Sequence, residues 1–176
     1  MVDTDQAHGA RLATEHLLGL GHRTVWHVAG PERSYSATRR RESWARTLHE
    51  HGAEVPPVQV GDWTSESGHA LGVELARDPE VTAIFAANDQ MALGVLRALH
   101  EAGRAVPAEV SVVGFDDMAE SASFWPTLTT VRQFFGEVGR RSVETLLHEV
   151  EGGRPRGTTL VDTELVVRAS TAAPPR

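Results

Sequence analysis

The sequence has no cysteine and no lysine, a single tyrosine, and no uninterrupted apolar run of the length a membrane requires. Without cysteine there are no disulfides, no thiolate metal clusters and no cysteine nucleophile, so stability rests on packing. A spanning helix needs about eighteen or more consecutive apolar residues. The opening Met1-Val2-Asp3-Thr4-Asp5 is acidic where a secretory leader is basic, and a cytoplasmic address is expected. All 17 basic residues are arginine, against 24 acidic ones, giving a net charge of −7. Apart from Arg39-Arg40-Arg41 and Arg140-Arg141 the positive charge is scattered, so the surface repels phosphate backbones. No DNA or RNA affinity is expected of these residues themselves.

What is present is ordinary for a globular chain: 176 residues, 40% hydrophobic and 23% charged, near the size of one domain. Short β-type runs alternate with segments of helical period. The runs are Thr24 to Ala29, Val55 to Val60, Val81 to Ala87, Val110 to Gly114, Leu128 to Val131 and Thr159 to Val167. Asn88 is placed as the N-cap of a helix Asp89 to Ala102, and Gly21, Gly52 and Gly103 are placed to end helices. Runs such as Val81 to Ala87 are almost wholly apolar, the pattern of strands covered on both faces of a parallel sheet. The expected architecture is a three-layer α/β/α fold with a mostly parallel sheet. Glu151 to Gly157 reads as a turn or linker, and Ala172 to Arg176 as a frayed tail.

In such a sheet the βα loops gather beyond the carboxyl ends of the strands, where ligands bind. The unusual polar and aromatic residues fall there: the loop from Gly30 to Arg40, Gly61-Asp62-Trp63-Thr64, Asn88-Asp89 and Phe115-Asp116-Asp117. An indole, a guanidinium, carboxylates and an amide at one rim suit a neutral polyol. The indole face packs on the C–H surface of a sugar ring, while the polar groups bond neighbouring hydroxyls. Each residue also has a plainer reading: Trp63 as a cap on the core, Arg40 as a member of a solvated basic run, Asn88, Asp116 and Asp117 as helix caps. The histidines lack ligand spacing and are read as scattered surface residues. No cofactor or metal is expected. Catalysis has no support either, since no Gly-x-Ser-x-Gly elbow occurs and neither Ser34 nor Ser36 shows an orienting base.

Ala87-Asn88-Asp89-Gln90-Met91-Ala92-Leu93-Gly94, followed by Val112-Val113-Gly114-Phe115-Asp116-Asp117, resembles the lac repressor/galactose repressor family of transcription regulators. Gly21-His22-Arg23, Ala29-Gly30-Pro31, Gly61 to Thr64, Pro126 to Val131 and Arg168 to Thr171 keep the family's order along nearly the whole chain. The resemblance implies a periplasmic-binding-protein-like fold of two α/β lobes closing over an effector. This chain is similar to the second lobe, residues 1–133 and 160–176, with 134–159 as a crossover helix and linker that packs on the first lobe. No counterpart of the DNA-binding headpiece is seen.

The resemblance further implies effector contacts from Arg40, Trp63, Asn88, Asp116, Gln133 and Phe135. Trp63 with Gln133 and Phe135 points to a galactoside-like sugar. Val95, Leu96 and Leu99 resemble the family's dimer surface, with a core role as the alternative. Operator DNA would be reached only through the headpiece. The expected function is therefore sugar sensing and dimerisation in a transcription regulator, the alternative being a sugar-binding module of solute uptake. With one wall of the cleft missing, sugar affinity should be poor. One departure stands out: the family's glycine three residues after the arginine is Ser43 here, followed by Trp44, and a serine there is expected to crowd the pocket loop. The apolar stripe Phe135, Val138, Val143, Leu146, Leu147 and Val150 is expected to seek a partner.

Overall fold

A computed structural model describes residues 1–153 and 157–175. The expected linker Glu151 to Gly157 and tail Ala172 to Arg176 thus lie partly outside the described residues. In chain order the elements are β1 (Val2–Thr4), α1 (Gln6–Gly19), β2 (Trp26–Ala29), α2 (Tyr35–Glu50), β3 (Gln59–Val60), α3 (Ser65–Ala76) and β4 (Ala83–Ala86). There follow α4 (Asp89–Glu101), β5 (Ser111–Asp116), a 3-10 turn (Ala119–Ser123), β6 (Thr129–Gln133), α5 (Phe135–Val150), β7 (Thr159–Val161) and β8 (Thr163–Val166).

Helix ends follow the local chemistry. Asp5, Ser34, Thr64 and Asn88 each accept a backbone N–H of the first turn, capping α1 to α4. Gly21, Gly52 and Gly103 take positive φ just past helix ends, as their sequence positions anticipate.

Six strands form one sheet in the order β3-β2-β4-β5-β6-β8, parallel except for β8, which runs antiparallel to β6. Along β4, Ile84 and Ala86 face α3 and α4, while Ala83 and Phe85 face α1 and α2. This two-sided covering is why the central strands read as continuous apolar runs. The expected three-layer α/β fold is thus present. From β2 the chain moves first to β3 on one side, then to β4 on the other, so the direction of winding switches between β2 and β4. In open α/β sheets the crevice at such a switch is where ligands sit.

The segment expected as a single strand from Thr159 to Val167 divides at Asp162. β7 pairs parallel with β1 in a separate two-stranded sheet, while β8 joins the main one. The sequence gives no warning of β1, three residues long and half acidic in its surroundings. α5 lies against β1 and has no buried residue. Its partly buried Val138, Arg141, Thr145 and His148 recur at helical spacing, and Phe135, Val143, Leu146, Leu147 and Val150 are exposed on the opposite side. No helix among the described residues is long and apolar enough to cross a membrane.

Three expectations are corrected by burial. Val95, Leu96 and Leu99, proposed for a dimer surface, are 0%, 5% and 0% exposed in the core between α4, α3 and the sheet. Among the histidines, His22 and His27 are buried and not on the surface. The tail is tied down at its start: Ala172 donates its N–H to Ser111 Oγ, and its carbonyl faces His22 Nε2 at 3.0 Å.

Candidate functional site

Five parallel strands end on one rim; the loops after β2, β3 and β4 carry Gly30, Trp63 and Asn88, and β5 and β6 end on Asp116 and Gln133. Arg40 reaches this rim from the second turn of α2 and is only 4% exposed. Its guanidinium carbon stands 3.7 Å over the Phe115 ring and 5.7 Å from the Trp63 ring. Nη1 donates to the Ala87 carbonyl, Nε donates to Gln6 Oε1 at 2.8 Å, and Nη2 lies 3.6 Å from Asp116 Oδ1. Arg39 and Arg41 are more exposed, so the choice within the basic run falls on Arg40.

Gln133 Nε2 donates to Asp116 Oδ1 at 2.6 Å. Arg40 Nη2 faces that same Oδ1 without a hydrogen bond, and the second oxygen of Asp116 accepts none from the described residues. A donor and an acceptor side by side are what two neighbouring hydroxyls require. The Trp63 indole lies across Gly30, where even a Cβ would overlap it, and the residue is partly exposed. Asn88 accepts from Met91 N through Oδ1 and donates through Nδ2 to the Trp63 carbonyl and to Gln90 Oε1. It both caps α4 and pins the Trp63 loop. Of these partners Gln90 is exposed.

Burial sets the ionisation of the pair. It pushes the Arg40 guanidinium down to about 10, opposed by Asp116, Asp89 and Asp3. It pushes Asp116 up to about 6, opposed by Arg40 and the Gln133 amide. Backbone strain collects here too. Trp63, Asp116 and Asp117 have φ of +77°, +114° and +53°, the positive-φ residues other than glycine among those described.

Of the six residues the sequence singled out, the structure brings together Arg40, Trp63, Asn88, Asp116 and Gln133. Phe135 joins none of these contacts and stands 61% exposed in the first turn of α5. Asp117 turns away, accepting Arg132 Nε and Arg168 Nη2 at 2.6 Å each, a structural role. Ser43 does not crowd the pocket: its hydroxyl donates to the Ala7 carbonyl, packing α2 on α1.

Sequence reasoning placed Phe115 and Asp89 at the rim without their roles and missed Gln6. Phe115 is the floor under Arg40. Asp89, fully buried, accepts from Met118 N, Ser121 Oγ and Thr130 Oγ1 and so holds the loop that presents Asp116. Gln6 bridges Arg40 and Gln133. Asp89 and Phe115 were read from the sequence as strand-end residues, whereas Gln6 carried no signal there.

The family model of the periplasmic binding protein-like domain matches residues 14–171. The lactose operon repressor of Escherichia coli (strain K12) is 40% identical over 167 residues, which are 94% of this chain and 46% of that protein. A crystal structure of the lac repressor dimer bound to operator and the anti-inducer ONPF superposes with a TM-score of 0.93 at 38% identity, covering 98% of this chain and 60% of that one. The transcriptional regulator CelR–cellobiose complex gives a TM-score of 0.91 at 36% identity, covering 96% and 53%. The chain spans about half the length of the curated relatives it matches. With sequence, fold and the order of strand-end residues agreeing, the chain belongs to the periplasmic-binding-protein-like domain family, among the lac repressor/galactose repressor regulators.

Proposed function

We propose that this chain is the effector-sensing lobe of a DNA-binding transcription regulator and that its effector is a sugar. The observation that carries the reading is the Arg40–Asp116 pair, a buried guanidinium facing a carboxylate, next to the partly exposed Trp63 at the switch point of the sheet. Asn88 and Gln133 complete the polar ring, and Phe135 is assigned to the apolar edge that closes on the ligand. Two relatives support the ligand class by their names alone, a lactose operon repressor and a regulator in complex with cellobiose. Relatives of this kind are repressors, and nothing in the site supplies a nucleophile with its base.

Operator contact is assigned to a part of the protein beyond these residues, in keeping with their net charge of −7. α5 and the two-stranded sheet are assigned to the first lobe. Self-association, as in the lac repressor dimer, is assigned to the outer side of α4, where Leu93 is 42% exposed, and to Trp125 nearby, 94% exposed.

Thermal melting of the chain with lactose, cellobiose and inorganic phosphate at high millimolar concentration tests the ligand class, since a ligand that binds only the native state raises the midpoint. The expected result is a rise with at least one of the sugars, none with phosphate, and loss of the rise in Arg40→Ala. A panel of sugars without effect, or an effect that Arg40→Ala leaves intact, would defeat the reading.

A further inference from the structure

We propose that Gln6 is a positioning residue of the sugar site, holding the Arg40 guanidinium in place and tying it to the crossings between the two sheets. The proposal rests on the sugar-site reading and deepens it.

The chain passes between the two-stranded and six-stranded sheets three times among the described residues: at Asp5 between β1 and α1, at Phe134 between β6 and α5, and at Asp162 between β7 and β8. Gln6 is the first residue beyond the first crossing and is 7% exposed. Its Oε1 accepts Arg40 Nε at 2.8 Å, and its Nε2 donates to Gln133 Oε1 at 3.1 Å. Gln133 is the last residue before the second crossing, 8% exposed, and its own Nε2 donates to Asp116. Asp5 N–H donates to the Val161 carbonyl at 2.8 Å, and His8 Nδ1 lies 3.1 Å from Thr163 Oγ1, so the third crossing is joined to the first.

The consequence is a closed circuit: Arg40, Gln6, Gln133, Asp116 and back to Arg40. Arg40 sits in an apolar setting over Phe115, where a guanidinium with a long flexible stem has several rotamers and few partners. Gln6 takes up Nε, the Ala87 carbonyl takes up Nη1, and only the Nη2 end is left toward the ligand. An amide does this where a hydrocarbon side chain does not, because Nε needs an acceptor and Gln133 needs a donor. A glutamate at the same place keeps the acceptor and loses the donor. The two functions of the amide are therefore separable by substitution.

Nitrogen-15 spectra of the ligand-free chain read the Arg40 Nε–Hε group directly. In the wild type its exchange with water is expected to be slow. Gln6→Met, close in shape but without polar atoms, is expected to speed it by about tenfold or more, the loss of a bond to a charged group. Gln6→Glu is expected to keep it slow. Titrations with lactose and cellobiose follow the same order, weakest in Gln6→Met and restored toward wild type in Gln6→Glu. A merely structural glutamine would lower the melting midpoint in both variants and leave Arg40 exchange alone.

Fast Hε exchange in the wild type overturns the proposal even if Gln6→Met does not fold. So does unchanged exchange in Gln6→Met, or exchange in Gln6→Glu as fast as in Gln6→Met. If the exchange pattern is as expected but neither sugar perturbs the wild type, the sugar reading fails separately and the Gln6–Arg40 restraint stands.

Discussion

The Arg40–Asp116 pair is a compromise between burial and attraction. Burial raises Asp116 to about 6, and that rise would be larger without the opposing charge of Arg40. In Arg40→Met the Asp116 carboxyl is therefore expected to titrate above 6, as followed by carbon-13 carboxyl shifts, and a value at or below 6 would show that Arg40 does not govern it. Sugar affinity in the wild type should weaken as the pH falls through about 6, because a protonated Asp116 loses acceptor capacity.

His27 is the second residue with a clear pH signature. It is fully buried between Trp44 and Phe85, Nδ1 faces the Phe85 carbonyl at 2.8 Å, and Nε2 has no partner among the described residues. Burial lowers it from 6.5 to about 4, against the bond to the Phe85 carbonyl. Between these two values the unfolded chain binds a proton that the folded chain refuses. The contribution is thus fully present above about 6.5, and stability falls as the pH drops, by about 3 kcal/mol once below 4. His16 and His22 are lowered too and act with the same sign. The share of His27 is the difference between the wild type and His27→Phe in urea melts across this range. Identical slopes would contradict the assignment.

Among the residues, Trp63, Asn88 and Asp116 were legible because β-α alternation alone fixes which ends of the strands share a rim, whereas Gln133 came only through the family resemblance. Gln6 was not legible, since its place depends on β1, a strand of three residues with no apolar pattern. Phe115 was placed at the rim, but nothing in sequence says that an arginine 75 positions earlier lies on its ring.

At the level of elements, α3 and α4 pack so closely that glycine is required where they meet. A Cβ on Gly94 would run into the Ser65 carbonyl and the His69 backbone nitrogen, both main-chain atoms that cannot turn aside. Gly94→Ala is expected to cost about 1–3 kcal/mol or more. Gly139 in α5 meets nothing within 4 Å, so Gly139→Ala should instead stabilise by about 0.5–1 kcal/mol through backbone entropy. Urea melts decide both, and a neutral Gly94→Ala would mean the two helices have room to separate.

Periodicity located α4 and its caps but left the role of its apolar residues open between dimer surface and core. Both Leu93 and the trio Val95, Leu96 and Leu99 recur at helical spacing, and only the position of α3 makes the trio core and leaves Leu93 outside. For α5 the exposed stripe was read from spacing except for Val138, which lies on the partly buried side. What spacing could not give was the half-polar side, Arg141, Thr145 and His148, that turns toward β1.

For the whole molecule, the doubly wound order of the sheet explains why residues from five separate strand ends meet. The switch between β2 and β4 opens a crevice, and the loops that border it bring Trp63 over Gly30 and Asn88 behind Trp63. Overall architecture was legible because alternating elements admit few right-handed arrangements. The division of the last strand between two sheets was not, because Val161-Asp162-Thr163 carries no turn signal strong enough to break the run. Crossing three times between the sheets puts the rim next to the joints, so the rim and the joints share the same few residues.

The most direct measurement is a set of intermolecular nuclear Overhauser contacts between a bound sugar, lactose or cellobiose, and this chain. The account expects contacts from the C–H face of the sugar to the Trp63 indole, with shift changes at Asn88, Asp116 and Gln133. Contacts confined to the cleft beside Trp125, or a saturated complex with no contact to Trp63, would contradict it.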